Sequence, residues 1–152
     1  MTKILTLTIA DLDEVMAIEN TVHRYKWSKA VMQDCINKHQ AFKICAQNSG
    51  EILGYSVLQI ILDEAHLLTL SIKKEYQGAG LGHKLLRFTL REALAQKAVI
   101  CFLEVESTNT QALNLYLKQG FNEIGKRLKY YWNAKFGSSD ALVMALNLDY
   151  IA

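Results

Sequence analysis

Near its middle the chain reads Tyr76-Gln77-Gly78-Ala79-Gly80-Leu81-Gly82, with three of its eight glycines inside five residues. The apolar run His66–Ile72 precedes this stretch and reads as a strand. Leu81, Leu85, Leu86, Leu90 and Leu94 follow at helical spacing along Leu81–Lys97. A glycine loop between a strand and a helix turns backbone N–H groups toward the helix N-terminus. There the macrodipole favours an anion, and missing side chains let a phosphate approach the backbone. Two phosphate signatures fail. A Walker loop needs G-x-x-x-x-G-K-S/T, but the sixth position counted from Gly78 is His83, and no Ser or Thr follows Lys84. A dinucleotide fingerprint needs G-x-G-x-x-G, whereas Gly78-Ala79-Gly80 is followed by Leu81-Gly82-His83, one residue out of register. A third pattern, Q/R-x-x-G-x-G/A, is met by Gln77, Gly80 and Gly82. On its own such a cluster also reads as a plain tight turn.

Toward the N-terminus, Lys3–Thr8 alternates as a strand and Asp11 stands as N-cap of a helix over Leu12–His23, with Leu12, Val15, Met16 and Glu19 at helical period. Ser28 caps a second helix running to Lys38. Phe42–Gln47 and Glu51–Leu62 form a hairpin around Asn48-Ser49-Gly50. Toward the C-terminus, Val99–Val105 is a strand whose alternation sets Cys101, Leu103 and Val105 opposite Phe102 and Glu104. Thr108 or Asn109 caps a helix through Gln119, which Gly120 stops. Phe121–Leu128 and Ala141–Leu148 are closing strands around a loop, Tyr130–Asp140. No repeat or low-complexity linker interrupts the chain, so the expectation is one domain over 1–152, a mixed sheet with helices packed on it.

With 152 residues, 51% hydrophobic and 21% charged, the composition excludes a disordered chain. Cys35, Cys45 and Cys101 are odd in number and widely spaced, which excludes a disulfide framework and a C-x-x-C motif; they read as core filler. No run approaches a membrane span, and Asp11, Asp13 and Glu14 interrupt the apolar N-terminus, so a cytoplasmic location is expected. His23, His39, His66 and His83 show no metal-ligand spacing, and no metal is expected. Net charge is +2, yet residues 73–135 carry eleven basic against five acidic residues while 1–72 carry six against eight. A basic middle fits a local anionic ligand better than a nucleic-acid stripe, and Lys outnumbers Arg thirteen to four. Proline is absent altogether.

The Q/R-x-x-G-x-G/A loop resembles the acyl-CoA pyrophosphate loop of the GNAT superfamily of N-acetyltransferases. Lys26-Trp27-Ser28, Leu62-Asp63-Glu64-Ala65, Leu103-Glu104-Val105, Asn109, Leu115-Tyr116 and Gly120-Phe121-Asn122 are together similar to the RimI family, over about residues 10 to 147. Members of that family acetylate the N-terminal alanine of a small-subunit ribosomal protein. The resemblance implies an α/β (α+β) GNAT fold, a central mixed, mostly antiparallel seven-stranded twisted sheet with about four helices. It implies acetyl-CoA as cosubstrate, a ribosomal-protein N-terminus as partner, a monomer, and no nucleic-acid or membrane contact.

Roles follow residue by residue from the resemblance. Glu104 becomes the general base acting through water, where the residues alone also allow a surface carboxylate. Tyr116 becomes the general acid to the CoA sulfur, though its spacing with Leu113, Leu117 and Gly120 also fits a core aromatic. Asn109 contacts the cofactor, leaving Thr108 to cap the helix. Leu70, Ser71 and Ile72 offer backbone groups to pantetheine as to an added strand. Gln77, Gly78, Ala79, Gly80, Leu81, Gly82 and His83 hold the pyrophosphate, with Lys73, Lys74, Lys84 and Arg87 around it. Trp27, Tyr130 and Tyr131 are candidates for the acceptor groove, or else hydrophobic anchors. Lys26, Lys74 and Trp132 stand where the family commonly has proline, and around Lys26 and Trp132 this predicts softer acceptor loops. Two rivals remain: an acetyltransferase for small amines or other N-termini, and a non-catalytic acyl-CoA sensor.

Overall fold

The computed structural model describes residues 1–151. Seven strands form one sheet: β1 (Thr2–Thr6), β2 (Gln40–Ala46), β3 (Ile52–Ile61), β4 (Glu64–Ile72), β5 (Ile100–Glu106), β6 (Asn122–Asn133) and β7 (Gly137–Asn147). Their order across the sheet is β1-β2-β3-β4-β5-β7-β6. All neighbours pair antiparallel except β4 and β5. Four α-helices complete the fold: α1 (Leu12–Val22), α2 (Lys29–Lys38), α3 (Leu81–Ala95) and α4 (Thr110–Gln119).

Two apolar layers explain why β3 reads as a continuous apolar run. Val15, Ile18 and Met32 of α1 and α2 pack with Ile52, Tyr55 and Val57 on one side. Leu86 and Leu90 of α3 and Tyr116 of α4 pack with Leu58, Leu67 and Leu103 on the other. A strand covered on both faces has no polar face to show. On α3 the buried stripe runs through Leu85, Leu86, Thr89, Leu90 and Ala93, while Leu94, expected in that stripe, is exposed.

The parallel β4–β5 ladder is short. It pairs Glu64 with Ile100 through Leu67 with Leu103 and then ends. On the β3 side the register steps from Val57↔Thr69 to Leu58↔Leu67, so Leu68 is an extra residue in β4. Such a bulge bends its strand. Beyond it, Thr69–Ile72 of β4 and Glu104–Glu106 of β5 have no partner in each other, and the sheet opens there.

Three local expectations are corrected. Tyr130–Asp140 is not a loop: β6 and β7 extend through most of it, around a turn at Ala134–Phe136. Aromatic residues suit a pleated strand, and Gly137 at φ 69 supplies the left-handed position beside the turn. Asp11 precedes α1 but makes no cap bond to it. Its carboxylate accepts the Thr8 N–H at 2.9 Å and the Lys43 ammonium at 2.9 Å instead. The cap of α4 is Asn109, whose side-chain oxygen accepts the Ala112 N–H at 3.2 Å, while the Thr108 hydroxyl donates to Glu106. Ser28 caps α2 as expected.

Candidate active site

Two cavities meet where the sheet opens. One, about 440 Å³, lies between the free edge of β4, the glycine loop and α4. The other, about 620 Å³, lies over β5, under the α1–α2 connection and the end of β6. Both sizes suit ligand sites. Tyr116 and Leu70 line both.

The smaller cavity gathers Leu70, Ser71, Ile72, Gln77, Gly78, Gly80, Gly82, His83 and Asn109 from the sequence expectations. Ala79 and Leu81 do not line it; Leu81 packs instead beside Phe42, Ile44 and Leu85. Gly78 and Gly80 both have φ 84, a left-handed backbone that disfavours side chains, and a Cβ added to either meets nothing within 4 Å. Open space therefore stands beside both glycines just ahead of α3. The buried Nδ1 of His83 has no hydrogen-bond partner among the described residues. Lys74 and Lys118 line the same cavity. A polyanion with hydrogen-bond acceptors fits this set. Lys73 and Lys84, expected around the anion, are engaged elsewhere: Lys73 pairs with Glu51 at 3.0 Å, and Lys84 donates to the Thr2 hydroxyl at 2.6 Å.

The backbone of β4 sorts the three expected pantetheine contacts. Lys73 N–H donates to Leu53 on β3 at 2.7 Å. Strand alternation therefore turns the N–H and C=O of Ser71 toward β3 and those of Leu70 and Ile72 toward the cavity. The Ile72 carbonyl accepts the Gln77 side-chain amide at 2.9 Å, which ties the glycine loop to the strand end. Ser71 contributes a buried hydroxyl, bonded to the His23 ring.

Tyr116 is held by the end of its helix. Gly120, at φ 116, closes α4 in a left-handed cap, and the Phe121 N–H donates back to the Tyr116 carbonyl at 3.0 Å. The two rings meet edge-on at 5.8 Å. Burial, with added effects of Tyr131 and Cys101, pushes the Tyr116 phenol well above its ordinary pKa, so it stays protonated at neutral pH. Both readings of Tyr116 hold together: its ring is core and it borders both cavities.

The larger cavity holds the two carboxylates of β5. Alternation leaves Glu104 exposed and Glu106 half-buried on the face away from buried Cys101, Leu103 and Val105. Glu104 receives the Arg127 Nε–H at 3.0 Å from β6, and Glu106 lies 3.6 Å from the Arg24 guanidinium. A clasp crosses above them. Tyr25 stacks on Tyr131 at 5.3 Å and donates to the Gly137 carbonyl at 3.2 Å, and Asn133 donates to the Arg24 carbonyl at 2.8 Å. Tyr130 touches Tyr131 edge-on at 5.1 Å, and both line the cavity. Burial, then the charge of Glu104, raises the pKa of each phenol. Trp27 is at once an anchor, packed against the α1–α2 core, and a wall of this cavity.

Sequence reasoning missed Arg24, Arg127, His23 and Lys118 as lining or partner residues. Arg24, Arg127 and His23 are brought in by contacts with Glu106, Glu104 and Ser71, each distant in sequence, and Lys118 by the placement of α4 beside the glycine loop.

A model of the acetyltransferase (GNAT) family matches residues 11–121. The chain belongs to the GNAT family of acetyltransferases. It is 33% identical over 147 residues to the ribosomal protein bS18-alanine N-acetyltransferase of Salmonella typhimurium, covering 96% of this chain and 97% of that one. The corresponding enzyme of Haemophilus influenzae is 34% identical over 150 residues, covering 97% of this chain and all of the relative. The crystal structure of the Escherichia coli ribosomal-protein-S18-alanine N-acetyltransferase matches with a TM-score of 0.88 at 32% identity, covering 97% of this chain and 94% of that one. The fold implied by the resemblance is the fold observed, and the activity class is acetyl-CoA-dependent N-acetyl transfer. The described residues contain no helix long and apolar enough to cross a membrane.

Proposed function

We propose that this chain transfers the acetyl group of acetyl-CoA to the free α-amine of a protein N-terminus, with the N-terminal alanine of ribosomal protein bS18 as acceptor. One observation carries the reading: an anion-suited cavity and a clasped, carboxylate-bearing cleft share Tyr116 at their junction. A covered cleft suits an extended chain end, and a carboxylate suits an ammonium. The RimI-type relatives name the acceptor.

In this account the amides of Gly78, Gly80 and Gly82 and the His83 ring hold the pyrophosphate. The free edge of Leu70 and the Ile72 N–H hold pantetheine as an added strand would, the Ile72 carbonyl being engaged by Gln77. The Asn109 carbonyl oxygen caps α4, and its amide N–H groups remain to donate to the cofactor. Glu104 takes a proton, through water, from the incoming ammonium, whose ordinary pKa is about 7.7–8.0. Arg127 orients that carboxylate from the far wall. Tyr116 gives its proton to the departing thiolate, which a neutral phenol does at pH 7. Trp27, Tyr130 and Tyr131 line the path of the acceptor's first residues. The protein acts in the cytoplasm as a monomer, without nucleic acid or metal.

Initial rates of CoA release test this with three acceptors: a peptide beginning Ala-Arg with a free amine, the same peptide blocked at that amine, and spermidine. The free peptide is the substrate expected. Acetylation of spermidine with none of the peptide refutes the acceptor, and CoA binding without transfer to any amine favours a sensor.

A further inference from the structure

An ammonium that becomes an amide loses two protons, and the thiolate gains one. Glu104 accounts for the proton removed before attack, and Tyr116 for the one given to sulfur. The proton that leaves nitrogen after the N–C bond forms passes either to Glu104 a second time, once its first proton has gone to solvent, or to another base where the two cavities meet. We propose that His23, at the junction of the two cavities, takes that second proton on Nδ1 and returns it to the Tyr116 oxygen. This rests on the N-acetyl transfer proposed above.

Val22, His23, Leu70, Asn109, Gln111, Ala112 and Tyr116 line both cavities; His23 and Tyr116 are the titratable ones. His23 ends α1, its N–H donating to the Glu19 carbonyl at 3.3 Å. Its Nε2 is hydrogen-bonded to the Ser71 hydroxyl and lies 3.7 Å from the Glu19 carboxylate. Glu19 is itself 2% exposed and accepts the Tyr55 hydroxyl and, at 2.9 Å, the Trp27 N–H. Buried polar groups of this kind are costly unless mutually satisfied, and a satisfied set fixes geometry. Here the set turns Nε2 inward. Nδ1 makes no hydrogen bond among the described residues and is the nitrogen left to accept a proton, the side chain being 25% exposed. Ser71 from β4 and Glu19 from α1 face the ring, Tyr55 from β3 stands behind Glu19, and Tyr116, Arg24, Glu104, Glu106 and Tyr131 line the cleft that the ring borders.

The ammonium releases one proton through Glu104 to solvent and a second to His23 as the C–S bond breaks. Tyr116 protonates sulfur, and His23 restores Tyr116. One amide, one thiol and one free proton result, with the protein unchanged. Burial makes a lasting tyrosinate at Tyr116 unfavourable, so the phenol regains a proton promptly after giving one up.

His23→Gln keeps a side-chain N–H for Ser71 and Glu19 but has no basic nitrogen. With the free-amine peptide, kcat is expected to fall about 10²-fold or more, with KM for acetyl-CoA within about twofold. His23→Ala is expected to regain turnover when imidazole is added, in proportion to its free base, which a purely structural role would not produce. A His23→Gln kcat within about twofold of the unsubstituted protein, or a folded His23→Ala that imidazole does not rescue, overturns the assignment. If the unsubstituted protein acetylates no peptide, the reaction itself is misread and the assignment falls with it.

Discussion

Replacing Gly54 with alanine tests how the sheet sets the cofactor edge. Gly54 lies in β3 between Ile44 of β2 and Ile72 of β4. A Cβ there would sit 2.5 Å from Ile72 Cδ1, 2.6 Å from the Ser71 carbonyl oxygen and 3.3 Å from Ile44 Cγ2. The Ile72 methyl is a flexible end and turns aside. The Ser71 carbonyl is backbone, so β4 itself must move. Reaching an ordinary C···O separation of about 3.3–3.6 Å requires a shift of about 0.7–1.0 Å. Overpacking of this kind costs about 1–3 kcal/mol, or about 2–12 °C in Tm for a chain of this size. The moved segment carries Leu70 and Ile72. Loss of one or two hydrogen bonds there, at about 0.5–1.5 kcal/mol each, weakens CoA binding about 2- to 150-fold. Thermal denaturation and calorimetric titration with CoA measure the two effects. A Tm within about 1 °C of the unsubstituted protein refutes the packing argument. A lowered Tm with unchanged CoA affinity refutes the use of the β4 edge by the cofactor.

Tyr116→Phe is expected to lower kcat about 10²-fold while CoA affinity stays within about twofold; unchanged turnover removes the acid role. Asp11 gives a pH signature. Burial acts to raise its pKa, but the Thr8 N–H and the Lys43 ammonium outweigh it and hold the carboxyl below its usual value. Its stabilisation is therefore present above the unfolded value of about 3.9 and is lost as pH falls through the lower folded one. Asp11→Asn lowers Tm at pH 7, and the gap closes in acid; a gap that persists or widens there contradicts the sign. Lys26→Pro removes chain freedom and leaves the Trp27 N–H bond to Glu19 in place. It should stabilise by about 0.4–1 kcal/mol, and a lowered Tm shows the backbone at Lys26 to be incompatible with proline.

Local chemistry carried most of the fold. Ser28 and Gly120 act where their residue types predict, because caps depend on neighbours in sequence. The glycine loop was legible for the same reason: a left-handed φ at Gly78 and Gly80 is a local requirement. The sequence pattern ends β6 and starts β7 too far from their turn, since their extension rests on pairing Tyr131 with Ser139 and Trp132 with Ser138. The bulge at Leu68 and the end of the β4–β5 ladder, which together open the site, come from inter-strand register and leave no mark in either strand alone. Glu104 and Tyr116 were legible as residues, but the ion pair from Arg127 and the polar set behind His23 span long sequence separations. Patterning finds what a segment does by itself. The acceptor cleft is made of segments that meet only in the fold.

The most direct test of the central claim is to locate the acetyl group. A peptide beginning Ala-Arg and carrying an internal lysine is incubated with the protein and acetyl-CoA, and tandem mass spectrometry assigns the modified nitrogen. One acetyl group on the alanine α-nitrogen is expected. An acetyl group on the lysine ε-nitrogen with the α-amine untouched would contradict it.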